Sequence, residues 1–418
     1  MDTLSYLFIL PVLLISLGTV YFVSKVLGIE AKSHRYSAID GMRGYLAMFV
    51  FLHHAGSWWY MIHIHEWGVI PNQLYNHFGS VSVSFFFMIT GFLFFTKLIE
   101  APQFGSGIFQ WFRFYVSRIL RIMPLYIFAM IVLFLSIGLA SHFSLREPFF
   151  ALFRHMGQWM LFMEPDINRV KGTKFYISGV QWSLAYEWLF YCSLPIVGIL
   201  FFRLRTSIFT IALSLLFVGV FAYVIYRFYP QRNWLRATPF ATGIAAAFLV
   251  KNGIGRKFAV NKWLTPILMM LLGFTLSIYD TMFELAPFFV ISLIFIAIAG
   301  GNDLFGILNA KVSRLLGQIS YSLYLLHALI LSTVFRFILP SANTYSILQF
   351  WCVIVVCSMV VTVVCSLTYF FIERPCLENS AKIARYLKGN AHRKRQQVTD
   401  MKEETKPEIA STTKEIVN

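Results

Sequence analysis

The chain is 418 residues long, 58% of them hydrophobic and 13% charged, with a mean hydropathy of +0.68. That leaves too few polar residues to clothe a water-exposed surface, which excludes a soluble globular enzyme and points to an integral membrane protein. The net charge of +16 would suggest nucleic acid in a soluble chain, but here the basic residues sit between apolar runs and set orientation; no nucleic-acid partner is expected.

In chain order, windows of about 20 apolar residues fall near 5–28, 42–62, 80–98, 123–141, 180–202, 206–228, 237–251, 264–281, 284–300, 317–339 and 347–372. The expected fold is therefore all-α and polytopic, with about eleven transmembrane helices. The N-terminal "MDTLSYLF" lacks a basic n-region and runs into an apolar stretch long enough to span, so an N-out anchor is expected in place of a cleaved signal peptide. Basic residues gather in alternate connections: Lys25, Lys32, Arg35 and Arg43; Arg113, Arg118 and Arg121; Arg203 and Arg205; Lys251, Arg256, Lys257 and Lys262; Lys311 and Arg314; then the tail. Those connections, and the C-terminus, should be cytoplasmic. The loops at 61–79, 280–287 and 340–346 carry no Lys or Arg and fit the opposite side. The loop at 142–179 and Arg227, Arg232 and Arg236 fit this pattern badly. Long loops escape the rule, and Arg236 reads as a cation kept for a site. The aromatics of the 142–179 loop suggest an interfacial segment. The tail from 377 to 418 mixes both charges with few apolar residues and is expected to be disordered and cytosolic, its basic start resting on anionic membrane lipid.

Five cysteines show no CxxC pair, so neither a metal site nor a disulfide is expected. P-loop, GxGxxG and GxSxG signatures are missing as well. What remains is a set of polar residues inside the spans, each costly in a bilayer and each a functional hypothesis. In "IDGMRGYLAMFVFLHH", Arg43 and His54 are eleven residues apart, about 20° beyond three full helical turns, so they share a face. The separation of about 16 Å places Arg43 at the cytoplasmic rim and His54 near mid-depth. The plainer alternative is a snorkelling anchor and a histidine bonded to a neighbouring helix. His53 points about 100° away and reads as structural.

In "QWSLAYEWLFY", Ser183, Glu187 and Tyr191 form a polar stripe at i, i+4, i+8. Glu187 would orient His54, bind a substrate hydroxyl, or pair with an arginine of another span. Ser320, Tyr324 and His327 of "GQISYSLYLLHALIL" repeat the pattern at i, i+4, i+7. The last span ends in "YFFIERP", where Glu373 and Arg374 read equally as an ion pair or a site. Between the third and fourth windows, Gln110, Arg113, Ser117 and Arg121 share one side of a segment that reads as an interfacial amphipathic helix, with Arg118 flanking. Guanidinium groups clustered at the rim suit phosphate, either of lipid headgroups or of a phosphorylated cofactor.

Together these stretches, with "FFFMITGFLF", "SRILRIMP" and "RATPFATGIAAA", resemble the acyltransferase-3 family of integral membrane acyltransferases over about residues 37–376. The resemblance implies a ten-span core at 30–376, an additional N-terminal transmembrane helix at 1–29, and no fused extracytoplasmic hydrolase-like domain. If a second catalytic domain is needed, a separate extracytoplasmic partner protein must supply it. It also implies transfer of an acyl group, most often acetyl, from cytoplasmic acyl-CoA to a hydroxyl of a cell-surface carbohydrate or its lipid-linked precursor, across a bacterial cytoplasmic membrane. On this resemblance His54 and Arg43 become catalytic, Glu187 supporting, and Arg118 and Arg121 ligands for the coenzyme's phosphates. Trp182, Ser183, Arg236, Ser320, Tyr324, His327 and Glu373 fall at substrate-binding or supporting positions. Gly91, Pro239 and Gly243 match motif positions without an assigned role.

Chemically, a neutral His54 would take the proton of the acceptor hydroxyl as it attacks the thioester, a contribution of about 10² to 10⁴ in rate. No serine or cysteine stands clearly as a nucleophile, so direct attack is favoured over an acyl-enzyme. The competing classes are a secondary transporter of a small polar or sugar-like solute, which lacks the expected inverted repeat here, and a lipid-binding scaffold. Acyl-CoA binding separates the first from a transferase. The stability of His54→Ala separates the second.

Overall fold

The structure, a computed structural model, describes residues 3–31, 35–68, 70–100, 108–202, 208–229, 234–254, 256–261, 263–280, 284–379 and 382. Lys32, Arg203, Arg205, Arg232, Lys262 and the tail from 383 onward lie outside the described residues.

Every apolar window becomes a helix, as backbone groups without water to bond must bond one another. A short 3₁₀ turn leads into α1 (Ile9–Leu27), followed by α2 (Ser37–His63), α3 (Gln73–Glu100), α4 (Ile108–Ala140) and α5 (Phe149–Met160). A 3₁₀ turn at Thr173–Ile177 precedes α6 (Trp182–Phe202), α7 (Ile208–Phe228), α8 (Thr238–Lys251), the single turn α9 (Arg256–Ala259), α10 (Leu264–Ile278) and α11 (Leu285–Ala299). The chain closes with α12 (Lys311–Gln318), α13 (Ser320–Thr333) and α14 (Ile347–Thr368). There is no β-strand among the described residues. Among the described residues seven helices are long and apolar enough to cross a membrane, and α8, α10 and α11 are shorter apolar helices. α2, at 27 residues, is also long enough to span. The fold is thus all-α and polytopic.

Two segments depart from expectation. The supposed interfacial helix before the fourth window is continuous with that window, and both belong to the 33-residue α4. Pro124 sits inside it; neighbouring helices in a membrane protein re-satisfy the backbone group that proline frees, so the helix continues. The 142–179 loop does contain a short amphipathic helix. α5 buries Trp159 while Phe149, Phe150 and Phe153 stay exposed, as an interfacial segment requires. α14 begins with a capping box: Ser346 Oγ accepts from Gln349 N–H and the Gln349 side chain accepts from Ser346 N–H.

Without a hydrophobic force between helices in lipid, close packing of small residues holds them together. The tightest approach joins α3 to α8. A Cβ built on Gly243 would lie 2.1 Å from the Met88 carbonyl oxygen, and one on Gly91 would lie 2.5 Å from that of Phe240. Both obstacles are backbone, so neither can swing aside, and this accounts for the two motif glycines that sequence left without a role. Gly243→Ala is therefore expected to lower stability by about 1–3 kcal/mol through overpacking, read as a fall in the melting temperature of the detergent-solubilised protein. Gly219→Ala, on a helix face with nothing within 4 Å, should leave it unchanged.

Because successive long helices reverse direction, Arg43 near the start of α2, Lys97 at the end of α3, and Arg118 and Arg121 in the first half of α4 arrive at one end of the bundle. Short α12 lies against α2 there, tied to it by a Tyr45–Ser313 hydroxyl contact of 2.8 Å. It leads into α13, which runs beside α2 toward the opposite end.

Candidate active site

At the basic end a cavity of about 390 Å³ is bounded by α2, α3, α4, α6 and α13. Four basic side chains line it, Arg43, Lys97, Arg118 and Arg121, against a single carboxylate, Glu187. The polar stripe of α6 lines it in full, as Ser183, Glu187 and Tyr191, and from α13 come Ser320, Tyr321 and Tyr324. Phe86, Phe87 and Phe94 supply apolar wall.

The cations are held apart and held in place. Arg118 stacks over the Phe94 ring at 5.1 Å and donates to Ser117 Oγ from Nε and Nη2 at 3.3 and 3.2 Å. It also interacts with Tyr191, whose hydroxyl donates to Glu187. Lys97 Nζ lies 5.5 Å from the centroid of the same Phe94 ring, within electrostatic reach of Arg118 and Arg121. Arg43 feels Arg121 as a like charge and Asp40, Glu187 and Glu373 as opposite ones. Glu373, 2% exposed, accepts from Ser322 Oγ and interacts with Arg121 and Arg43. Its sequence neighbour Arg374 pairs instead with Glu378 at 3.0 Å, so the Glu373–Arg374 ion pair is not formed, and Glu373 backs the basic cluster from inside the domain. A cavity with such an excess of positive charge in a low-dielectric wall is suited to a polyanion. Ser320 Oγ, buried and without a hydrogen-bond partner among the described residues, adds a donor at the same wall.

His54 is not among the residues that line this cavity; it joins it through α13. Tyr324 lines the cavity, its hydroxyl sharing a hydrogen with Ser183 Oγ at 2.8 Å and donating to the Val180 carbonyl at 3.1 Å. One turn on, His327 is fully buried. Its Nδ1 lies 2.7 Å from the Leu323 carbonyl and its Nε2 lies 2.8 Å from His54 Nδ1. A carbonyl only accepts, so His327 Nδ1 carries the proton, and in the neutral ring Nε2 must be an acceptor. His54 Nδ1 then donates, and in neutral His54 the unprotonated nitrogen is Nε2, the tautomer a general base needs. This assignment follows from the chemistry of the partners. The His54 ring packs on Trp67 at 6.3 Å. His53 Nδ1 lies 2.9 Å from the Tyr75 carbonyl oxygen, and its ring lies against Gly79 of α3.

Trp182 and Arg236 lie elsewhere. Arg236 sits over the Trp182 ring at 5.7 Å, near the start of α8, and neither lines the cavity. The structure thus brings together Arg43, Arg118, Arg121, Ser183, Glu187, Ser320 and Tyr324, links His54 to them through His327, sets Glu373 behind them, and leaves Trp182 and Arg236 apart. Sequence reasoning missed Lys97 and Tyr321. Lys97 ends an apolar window and looks like a rim anchor. Gln181 was missed too; it is fully buried at the head of α6, with both amide atoms unpartnered among the described residues.

A polytopic helical membrane protein enclosing a basic cavity beside a bonded histidine pair is the class that fold and site define. The chain belongs to the acyltransferase-3 family: the family model, described as an acyltransferase domain, matches residues 36–370. It is similar to proteins of Staphylococcus aureus strains COL, MSSA476 and MRSA252 that bear the name "Putative O-acetyltransferase", each 24% identical over 335 residues, covering 72% of this chain and 52% of the relative. The chain spans about half the length of these curated relatives. No solved structure matches it.

Proposed function

We propose that the protein moves an acyl group, in the first instance acetyl, from acyl-CoA to a hydroxyl of a carbohydrate acceptor, with Arg43, Lys97, Arg118 and Arg121 binding the donor's phosphates and His54 acting as general base. The observation that carries this reading is the four-to-one excess of basic over acidic groups lining a cavity whose wall residue Tyr324 stands one helical turn before His327, the hydrogen-bond partner of His54. Acyl-CoA presents three phosphates to such a cluster, and bidentate guanidinium contacts would orient them.

In the reaction, His54 Nε2 accepts the proton of the acceptor hydroxyl while that oxygen attacks the thioester carbonyl. The carbonyl carbon forms its new bond to oxygen and the C–S bond then breaks, the thiolate taking the proton held on His54 Nε2 and leaving as coenzyme A, so that His54 returns to its neutral form. His327 holds His54 in the required tautomer through its own bond to Leu323. The Tyr324 and Ser183 hydroxyls are engaged with each other and with the Val180 carbonyl; Ser320 Oγ, at the same cavity wall and without a hydrogen-bond partner among the described residues, is the donor available to the carbonyl oxygen as it gains charge, a contribution often of about 3–4 kcal/mol. The basic end faces the cytoplasm, the donor's compartment.

Two tests follow. In sealed vesicles of known sidedness, acylation is expected only when acyl-CoA is supplied at the basic end; equal activity from the other face would overturn the assignment. His327→Leu should lower kcat by about 10- to 100-fold, the scale of a lost orienting partner, with the KM for acyl-CoA unchanged. His327→Gln, whose amide oxygen still accepts, should recover part of it. Equal loss in both variants, with equal melting temperatures, would show that acceptance by residue 327 is irrelevant.

A further inference from the structure

Beyond α13 the helix widens into a π-turn at Val334–Ile338, a distortion that costs hydrogen-bond quality and recurs at functional sites. It carries Arg336. The guanidinium lies over the Tyr176 ring at 4.3 Å and the Trp58 ring at 5.4 Å, and makes no ion pair among the described residues. Its Nε is buried without a hydrogen-bond partner, and so is the indole N–H of Trp58, which is 2% exposed. The guanidinium also bonds the Tyr176 side chain, but its Nε–H and the Trp58 N–H, two adjacent buried donors, have no acceptor among the described residues, an arrangement that native proteins rarely keep without a use. Nor is Arg336 a rim anchor of the usual kind, because it stands at the end of the bundle opposite the basic cavity, where the short loops are free of Lys and Arg.

The position matters more than the charge. Trp58 is four residues after His54 on α2, hence on the same face and about 6 Å farther along the axis. Trp67 touches both, its ring 6.3 Å from His54 and 5.7 Å from Trp58. Phe175 packs on Trp67 at 5.2 Å and is itself covered by Lys174 at 5.3 Å. Aromatic faces beside paired donors are what a sugar ring with a charged substituent requires.

We infer that Arg336 and the Trp58 N–H form an anion-binding subsite for the acceptor, receiving a carboxylate or phosphate carried on the sugar unit that is acylated. It rests on the reading that an acceptor hydroxyl approaches His54, and it narrows the acceptor to acidic or phosphate-bearing glycans. A neutral glycan's hydroxyls could accept from both donors but would leave the guanidinium's charge unpaired, whereas an anion on Arg336 would add a charge-assisted bond and fix the sugar with a neighbouring hydroxyl over His54.

The test is calorimetric titration of the full chain in nanodiscs with glucuronate, glucose 6-phosphate and glucose. At least one anionic sugar is expected to bind ten times or more tightly than glucose, and which one it is distinguishes carboxylate from phosphate. Arg336→Gln should abolish that preference, Arg336→Lys should keep part of it, and Trp58→Phe, which keeps a ring but removes the N–H, should weaken it. Acetyl-CoA affinity should stay unchanged in all three, showing an intact fold. Equal affinity for all three sugars, no binding of any, or a preference that survives Arg336→Gln would overturn the subsite. Loss of acetyl-CoA binding in the unaltered protein would count against the donor reading instead, so the two failures are distinguishable.

Discussion

His54→Ala is expected to yield a folded protein that binds acyl-CoA with unchanged affinity and transfers its acyl group at least about 10² to 10⁴ times more slowly, the range spanned by positioned general bases. The reasoning is local. His54 bonds His327 Nε2 and does not line the basic cavity, so its removal takes away the proton acceptor while the donor's cationic cradle keeps its lining residues. The measurement is single-turnover transfer of radiolabelled acetyl alongside equilibrium donor binding and a melting curve. A variant that unfolds, or one that transfers at the normal rate, would return His54 to the role of a structural histidine bonded between helices. His54→Gln sharpens the comparison, since it keeps a donor toward His327 but cannot act as a base; it should be as inactive as the alanine variant while melting higher.

The second large effect concerns the donor. Arg118→Gln and Arg121→Gln should each raise the KM for acyl-CoA by about 10- to 100-fold, as a charge-assisted hydrogen bond contributes about 1.5–3 kcal/mol. The change in kcat should be small, because these groups bind the non-reacting part of the substrate. Arg113→Gln serves as the contrast. Arg113 lies on the same helix, five residues before Arg118, but is exposed and does not line the cavity, so its loss should alter KM little. If the three behaved alike, the effect would belong to general surface charge and not to the cavity. The effects of Arg118 and Arg121 need not add, because both interact with Lys97 and removal of one relieves repulsion on the others.

How much of this was readable beforehand depended on the range of the interaction. Period-3.6 spacing placed Ser183, Glu187 and Tyr191 on one side of α6, and Ser320, Tyr324 and His327 on one side of α13, because a helix fixes the azimuth of its own side chains whatever surrounds it. Five of these six line the cavity, and His327, one turn deeper, bonds His54 instead. The same reasoning gave the shared face of Arg43 and His54, and only Arg43 of the two lines the cavity. His54 meets it through His327, 273 residues away in sequence, a contact that no periodicity within one helix can reveal. Lys97 escaped notice because a lysine at the end of an apolar run has an ordinary explanation as an anchor. The continuity of α4 was hidden by Pro124, which breaks helices in water but is tolerated among packed neighbours in a membrane. Glu373 was misjudged by its sequence neighbour: Arg374 turns to Glu378, while the carboxylate turns inward to Ser322. The glycines of α3 and α8 carried no signal until the opposing backbone was in view, since what they avoid is a carbonyl on another helix.

The most direct test of the donor site compares two thioesters that differ in phosphate. Acetyl-CoA and S-acetylpantetheine, which keeps the reactive end and lacks the nucleotide, are titrated against the purified protein and its Arg118→Gln/Arg121→Gln variant. The account predicts that acetyl-CoA binds the unaltered protein far more tightly than S-acetylpantetheine, by at least a hundredfold, and that the gap nearly closes in the variant. Equal affinity of the unaltered protein for both thioesters, or a gap untouched by the two substitutions, would contradict it.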